Sequence, residues 1–138
     1  MYLEFLTENW YLFAALVVVL VMLGMTFLNQ LIYKIKTVNA AQAIGLINRE
    51  EAVVVDVCEP NEFQTGHLPN AINMPLTKLT NNIDTLNKHK GKPIVVTCRT
   101  GNRSMKGAIT LKKGGFENVY SLSGGLTAWQ KDNLPTER

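Results

Sequence analysis

The residues able to do chemistry concentrate in one short stretch, Cys98-Arg99-Thr100-Gly101-Asn102-Arg103. A cysteine so placed is a nucleophile wherever its surroundings favour the thiolate. The β-branched run Ile94 to Thr97 reads as a parallel strand buried on both faces, and it ends at Cys98. In open parallel α/β sheets, ligands bind beyond the carboxyl ends of strands. After the loop, Ser104 to Lys113 carries Met105, Ala108, Ile109 and Leu111 at helical spacing. Loop N–H groups and a helix N-terminus therefore converge near the sulfur, and Arg99 and Arg103 add two full charges that attract an anion. The competing reading is an inert buried cysteine at a strand end. A strand, a cysteine, a Gly-containing loop with arginines and then a helix, in that order, favour the reactive one.

Loop length separates two chemistries. Four residues, Arg99 to Asn102, lie between Cys98 and Arg103. Cysteine-dependent phosphatases use one residue more, which widens the cradle to fit a phosphate; the shorter loop suits a single sulfur atom carried on the cysteine. Other candidates read as structural. His67 ties the Gly66–Asn70 turn to nearby backbone, His89 is solvated between Lys88 and Lys90, and Phe116 and Trp129 belong to the core. Asp56 ends a buried strand and needs partners there, so it organises backbone around the site. Cys58, Cys98 and His67 have no metal-ligand spacing, and no metal is expected.

The elements that position this loop follow from pattern. Ala52 to Val57 reads as another buried strand, ending in a turn at Cys58-Glu59-Pro60-Asn61. Asn39 caps a helix through Ala40, Ala43, Ile44 and Ile47, and Ala71 to Met74 is a short piece suited to a sheet edge. Leu76 to Leu86 reads as a helix over one face, Val119 to Leu122 as the last strand, and Gly124-Gly125 as a turn into a final helix around Trp129. Strands alternating with helices predict an α/β domain with a parallel sheet covered on both faces.

The 138 residues hold room for one ordinary domain, and the net charge of +3 hides a division. Residues 9–33 contain no Asp, Glu, Lys or Arg, and about 20 apolar helical residues cross the roughly 30 Å hydrocarbon core of a membrane. The leader, residues 1–8, carries Glu4 and Glu8 rather than the positive charge of a cleaved signal, so the span is expected to remain as an anchor. All 14 Lys and Arg follow it, beginning with Lys34 and Lys36. By the positive-inside rule the N-terminus lies outside and the domain, residues 38–138, in the cytoplasm behind a linker at residues 34–37. Two cysteines at that address do not make a disulfide framework. The basic surplus after the span suits an anionic headgroup surface or anionic substrates, and nothing points to nucleic acid.

From about Thr37 to Trp129 the chain resembles a single-domain rhodanese of the membrane-anchored bacterial type. The resemblance rests on Val55-Asp56-Val57 with Glu59-Pro60, Glu62-Phe63, Gly66 to Pro75, Val95 to Ser104, Gly115-Phe116 and Gly124 to Trp129. It implies a five-stranded, mainly parallel sheet with helices on both faces, preceded here by one transmembrane helix. It also implies a sulfurtransferase anchored in the bacterial inner membrane. Cys98 would take the sulfane sulfur of a donor such as thiosulfate as a persulfide, with no other cofactor, and pass it to a thiol or protein acceptor. Arg99, Thr100, Gly101, Asn102 and Arg103 would bind the donor, with Asp56, Cys58 and Ser104 in support. Most relatives carry arginine where this chain has Cys58, which is either a small space-filling residue or a resolving thiol for Cys98. The alternative function is a weakly catalytic binding module serving a membrane partner; the intact loop with both arginines favours the enzyme.

Overall fold

The structure is a computed structural model that describes residues 1–33 and 35–138. Lys34, the first residue of the expected linker, lies outside the described residues. The N-terminal unit consists of α1 (Tyr2–Glu8), which occupies the expected leader, and the 24-residue α2 (Trp10–Tyr33). At 1.5 Å per residue α2 is about 36 Å long, and it is apolar enough to cross a membrane. Every side chain from Trp10 to Leu28 is exposed.

The second unit, residues 35–138, is an α/β domain. Its strands are β1 (Lys36–Val38), β2 (Val53–Asp56), β3 (Ile72–Asn73), β4 (Ile94–Thr97) and β5 (Val119–Leu122). They form one sheet in the order β1-β5-β4-β2-β3, and all four pairings are parallel. Side-chain alternation along the strands divides the core. Val55, Ile94, Val96 and Val119 pack on one face against α5 (Leu76–Asn82), the 3-10 segment Ile83–His89 and α6 (Asn102–Lys113), through Leu79, Leu86, Ala108 and Leu111. Val54, Val95 and Leu122 pack on the other face against α3 (Ala40–Glu50) and α7 (Gly125–Lys131), through Ala40, Ala43, Leu126 and Trp129. Close approach on the first face depends on Gly107 of α6. A Cβ there would lie 2.9 Å from Val57 and 3.2 Å from Val96.

The structure departs from the sequence reading in four places. Lys36 and Thr37, expected in a linker, open strand β1, whose pairing with Tyr120–Leu122 of β5 supplies the ladder hydrogen bonds a free segment lacks. The turn expected at Cys58–Asn61 instead launches α4 (Pro60–Thr65), with Pro60 in its first turn and a capping box between Glu59 and Glu62. The helix expected over Leu76–Leu86 ends at Asn82 and continues as 3-10 turns. His89, expected in solvent, is half-buried; its Nε2 is buried without a hydrogen-bond partner among the described residues, and burial beside Lys88 and Lys92 lowers its pKa.

Candidate active site

Cys98 follows β4, the central strand, and is 1% exposed. Its Sγ accepts the N–H of Gly101 at 3.0 Å and the N–H of Ser104 at 3.3 Å. Both donors sit at the start of α6, whose N-cap is Gly101, so the sulfur rests on the positive end of a twelve-residue helix. Ser104, fully buried, donates from Oγ to the Gly101 carbonyl at 2.8 Å and meets Ser121 Oγ of β5 at 2.8 Å, which fixes the loop to the sheet.

The loop's carbonyls are turned the other way. Leu126 N–H donates to the Cys98 carbonyl at 2.8 Å and Thr127 N–H to the Arg99 carbonyl at 3.0 Å. The first turn of α7 thus takes up two loop acceptors while loop amides face the sulfur. This contact depends on Gly125, at φ +53, because a Cβ there would lie 2.2 Å from the Cys98 carbonyl oxygen and 2.9 Å from Arg99 backbone.

Arg103 and Arg99 both meet Glu62 of α4. Arg103 donates through Nη1 and Nη2 to the two Glu62 oxygens at 2.7 and 2.9 Å, a bidentate pair. Arg99 Nε lies 3.4 Å from Glu62 Oε2, and its Nη2 donates to Thr65 Oγ1 at 3.0 Å. The Arg103 hydrogen bonds hold the Glu62 carboxyl down at about 2, and Glu62 in turn raises the pKa of Arg103. Thr100 and Asn102 are exposed at the rim of the loop.

Asp56 and Cys58 lie behind this constellation. Asp56, 3% exposed, accepts the Cys58 N–H at 2.9 Å, and Asn73 Nδ2 donates to the carbonyls of Cys58 at 2.9 Å and Asp56 at 3.2 Å. Burial first, then the Asp56 charge and hydrogen bond, push the Cys58 thiol up to about 12. Both cysteines are free. His67 stands apart as a structural residue, its Nδ1 donating to the Phe63 carbonyl at 2.8 Å and its ring stacked on Phe63. Among the described residues no cluster of His, Cys, Asp and Glu could hold a metal ion.

A short cysteine loop wound over a helix N-terminus at the end of a central parallel strand is matched in sequence as well. The family described as Rhodanese-like domain matches residues 39–132. The chain belongs to the rhodanese-like family. The YibN protein of Escherichia coli (strain K12) is 35% identical over 136 residues, covering 98% of this chain and 95% of that protein, so the similarity extends through the apolar helix. The thiosulfate sulfurtransferase GlpE of Pseudoalteromonas translucida is 34% identical over 95 residues, covering 69% of this chain and 89% of that one. The crystal structure of a rhodanese-related protein from Thermoplasma volcanium superposes with a TM-score of 0.67 at 30% identity, covering 74% of this chain and 97% of that one.

Within this rhodanese-like site, sequence reasoning singled out Cys98 and its loop, read Gly125 only as part of a turn into the last helix, and assigned no site role to Glu62, Thr65 or Ser121. For Glu62 a signal existed: Glu59 and Glu62 flank Pro60 at capping-box spacing, which marks a helix start. Nothing local connects Glu62 to Arg103, 41 residues away.

Proposed function

We propose that this rhodanese-like protein is a membrane-anchored sulfurtransferase. The observation that carries the reading is the pair of amides, from Gly101 and Ser104, aimed at Cys98 Sγ from the start of α6. Fixed N–H donors and a helix N-terminus favour negative charge on that sulfur. That charge lies on Sγ in the thiolate that attacks and returns to Sγ when the acceptor removes the outer sulfur of the persulfide. In the first step the Cys98 thiolate attacks the outer sulfur of a donor such as thiosulfate. A Cys–S bond forms, the donor's S–S bond breaks, and sulfite leaves with the bonding pair. In the second, an acceptor thiolate attacks the outer sulfur of the Cys98 persulfide and regenerates the Cys98 thiolate. No oxidant or reductant enters, and no cofactor beyond the covalent persulfide is needed. The named activity of the GlpE relatives supports the reading.

Helix α2 is the proposed anchor, with the N-terminus outside and the domain in the cytoplasm, because the basic residues follow the span. A small anionic sulfur donor, a thiol or protein acceptor and the lipid around residues 9–33 are the proposed partners; a membrane protein is a further one. The test of the chemistry is mass spectrometry of the full chain in detergent micelles after incubation with thiosulfate. One added sulfur atom on the parent and none on Cys98→Ser is expected. A parent that gains no sulfur would demote thiosulfate as the donor, and a parent that also gains none from an alkyl persulfide would demote the enzyme in favour of a rhodanese-like binding module.

A further inference from the structure

Two guanidinium groups stand beside the Cys98 cradle, and one carboxylate binds both. Glu62 takes Arg103 in a bidentate pair at 2.7 and 2.9 Å and lies 3.4 Å from Arg99 Nε. Held at about 2 by Arg103, its carboxyl is ionised at any neutral pH. Cys58 adds no positive charge, since burial and Asp56 keep it a neutral thiol, and Asp56 places a buried carboxyl behind the loop. With Cys98 as thiolate, the charges of Cys98, Glu62, Arg99 and Arg103 cancel. A dianion gains little on entering a neutral cluster, whereas a donor carrying one negative charge or none is not penalised.

Resting on the sulfurtransferase reading above, we infer that Glu62 is a specificity-determining residue: by offsetting one of the two arginine charges beside Cys98 it tunes the site toward sulfane donors of low charge, alkyl persulfides above all, and away from dianionic thiosulfate. The step with such a donor balances by itself. The Cys98 thiolate attacks the outer sulfur of R–S–SH, the new S–S bond forms on Cys98, and the old one breaks. R–S⁻ leaves with the electron pair, and the proton stays on the transferred sulfur.

The test measures persulfide formation on Cys98 of the full chain in detergent micelles, with thiosulfate and with 2-hydroxyethyl persulfide as donors across a concentration series. On the parent the alkyl persulfide is the better donor by kcat/KM. Glu62→Gln raises kcat/KM for thiosulfate on the order of tenfold, chiefly through KM, because it removes one full negative charge from the cluster that the dianion meets. The alkyl persulfide moves much less, so the donor ratio shifts by a similar factor, and added salt shrinks that shift. Glu62→Asp, which keeps the charge, retains the parent's ratio. Equal changes for both donors in Glu62→Gln would leave Glu62 a purely positioning residue and overturn the inference, as would a parent that prefers thiosulfate. Loading by neither donor would sink the sulfurtransferase reading and the inference with it; loading by both with an unmoved ratio would sink the inference alone.

Discussion

Gly125→Ala should damage the site from a helix that contributes no side chain to it. The added methyl would sit 2.2 Å from the Cys98 carbonyl oxygen and 2.9 Å from the Arg99 carbonyl, both backbone atoms that cannot rotate aside. Relief requires α7 and the loop to separate by about 1 Å, the shortfall from ordinary contact distance. That movement stretches the Leu126-to-Cys98 and Thr127-to-Arg99 hydrogen bonds, now 2.8 and 3.0 Å, each contributing about 1 kcal/mol. A non-glycine residue at φ +53 costs about 1 kcal/mol more. The combined loss is about 3 to 4 kcal/mol, enough to lower the midpoint of a domain this size by about 15 °C or more. Near-UV circular dichroism of the full chain in micelles would follow melting, and mass spectrometry would follow sulfur loading of Cys98. The control is Gly45→Ala in α3, where nothing lies within 4 Å; it should be neutral or stabilise by about 0.5 to 1 kcal/mol. If Gly125→Ala melted with the parent and loaded sulfur at the parent's rate, the account of α7 as the support of the loop would be wrong.

Cys58 is held as a buried thiol, its pKa pushed up to about 12, so Cys58→Ala should load sulfur as the parent does. A Cys58–Cys98 cross-linked peptide in digests of oxidised protein would instead restore the resolving-thiol reading. Glu62 titrates below its ordinary value, so its contribution to stability is complete above about pH 4.5 and is lost as pH falls toward 2. The Glu62 and Arg103 side chains are 25% and 36% exposed, and solvent screening limits the effect to about 1 kcal/mol. Urea unfolding should show the parent losing that much between pH 5 and about pH 2.5, with a shallower fall in Glu62→Gln; parallel curves would assign the acid sensitivity elsewhere. In spheroplasts, added protease should leave the domain intact while inverted vesicles expose it, and the opposite pattern would reverse the proposed orientation.

The parts of the fold that were legible in sequence are those written in a local period. Ile94–Thr97 and Val119–Leu122 are short β-branched or apolar runs between turn signals, and the strands have those bounds. Asn39 was legible as a cap because it precedes Ala40, Ala43, Ile44 and Ile47 at helical spacing, and the structure adds a capping box with Gln42. Strand β1 was not legible, because three residues carry no period and its partner, β5, lies more than eighty residues later in the chain. The site divides in the same way. Cys98, Gly101 and Ser104 occupy one contiguous stretch whose geometry follows from a strand running into a helix. The loop's other supports arrive through tertiary contact, Glu62 from α4, Ser121 from β5 and the N-terminus of α7. No spacing rule in the chain foretells such meetings.

The register of the sheet explains why these separate supports meet at Cys98. Asp56 and Thr97 are paired across the parallel strands β2 and β4, so the segments leaving the two strands start side by side at the carboxyl ends of the sheet. The segment after β4 turns at once into α6 and brings its amides to the sulfur. The segment after β2 is held to its exit direction by Asp56 on the Cys58 N–H and by Asn73 on the two neighbouring carbonyls. Pro60 then starts α4 two residues beyond Cys58, and within its first turn Glu62 reaches both arginines. Asp56 therefore acts on the Cys98 loop at one remove: it aims the segment that delivers the carboxylate. A buried carboxyl on β2 and a half-buried carboxylate on α4 divide the work, one fixing backbone and the other pairing with both arginines of the Cys98 loop, where the proposed sulfur donor would meet its charge.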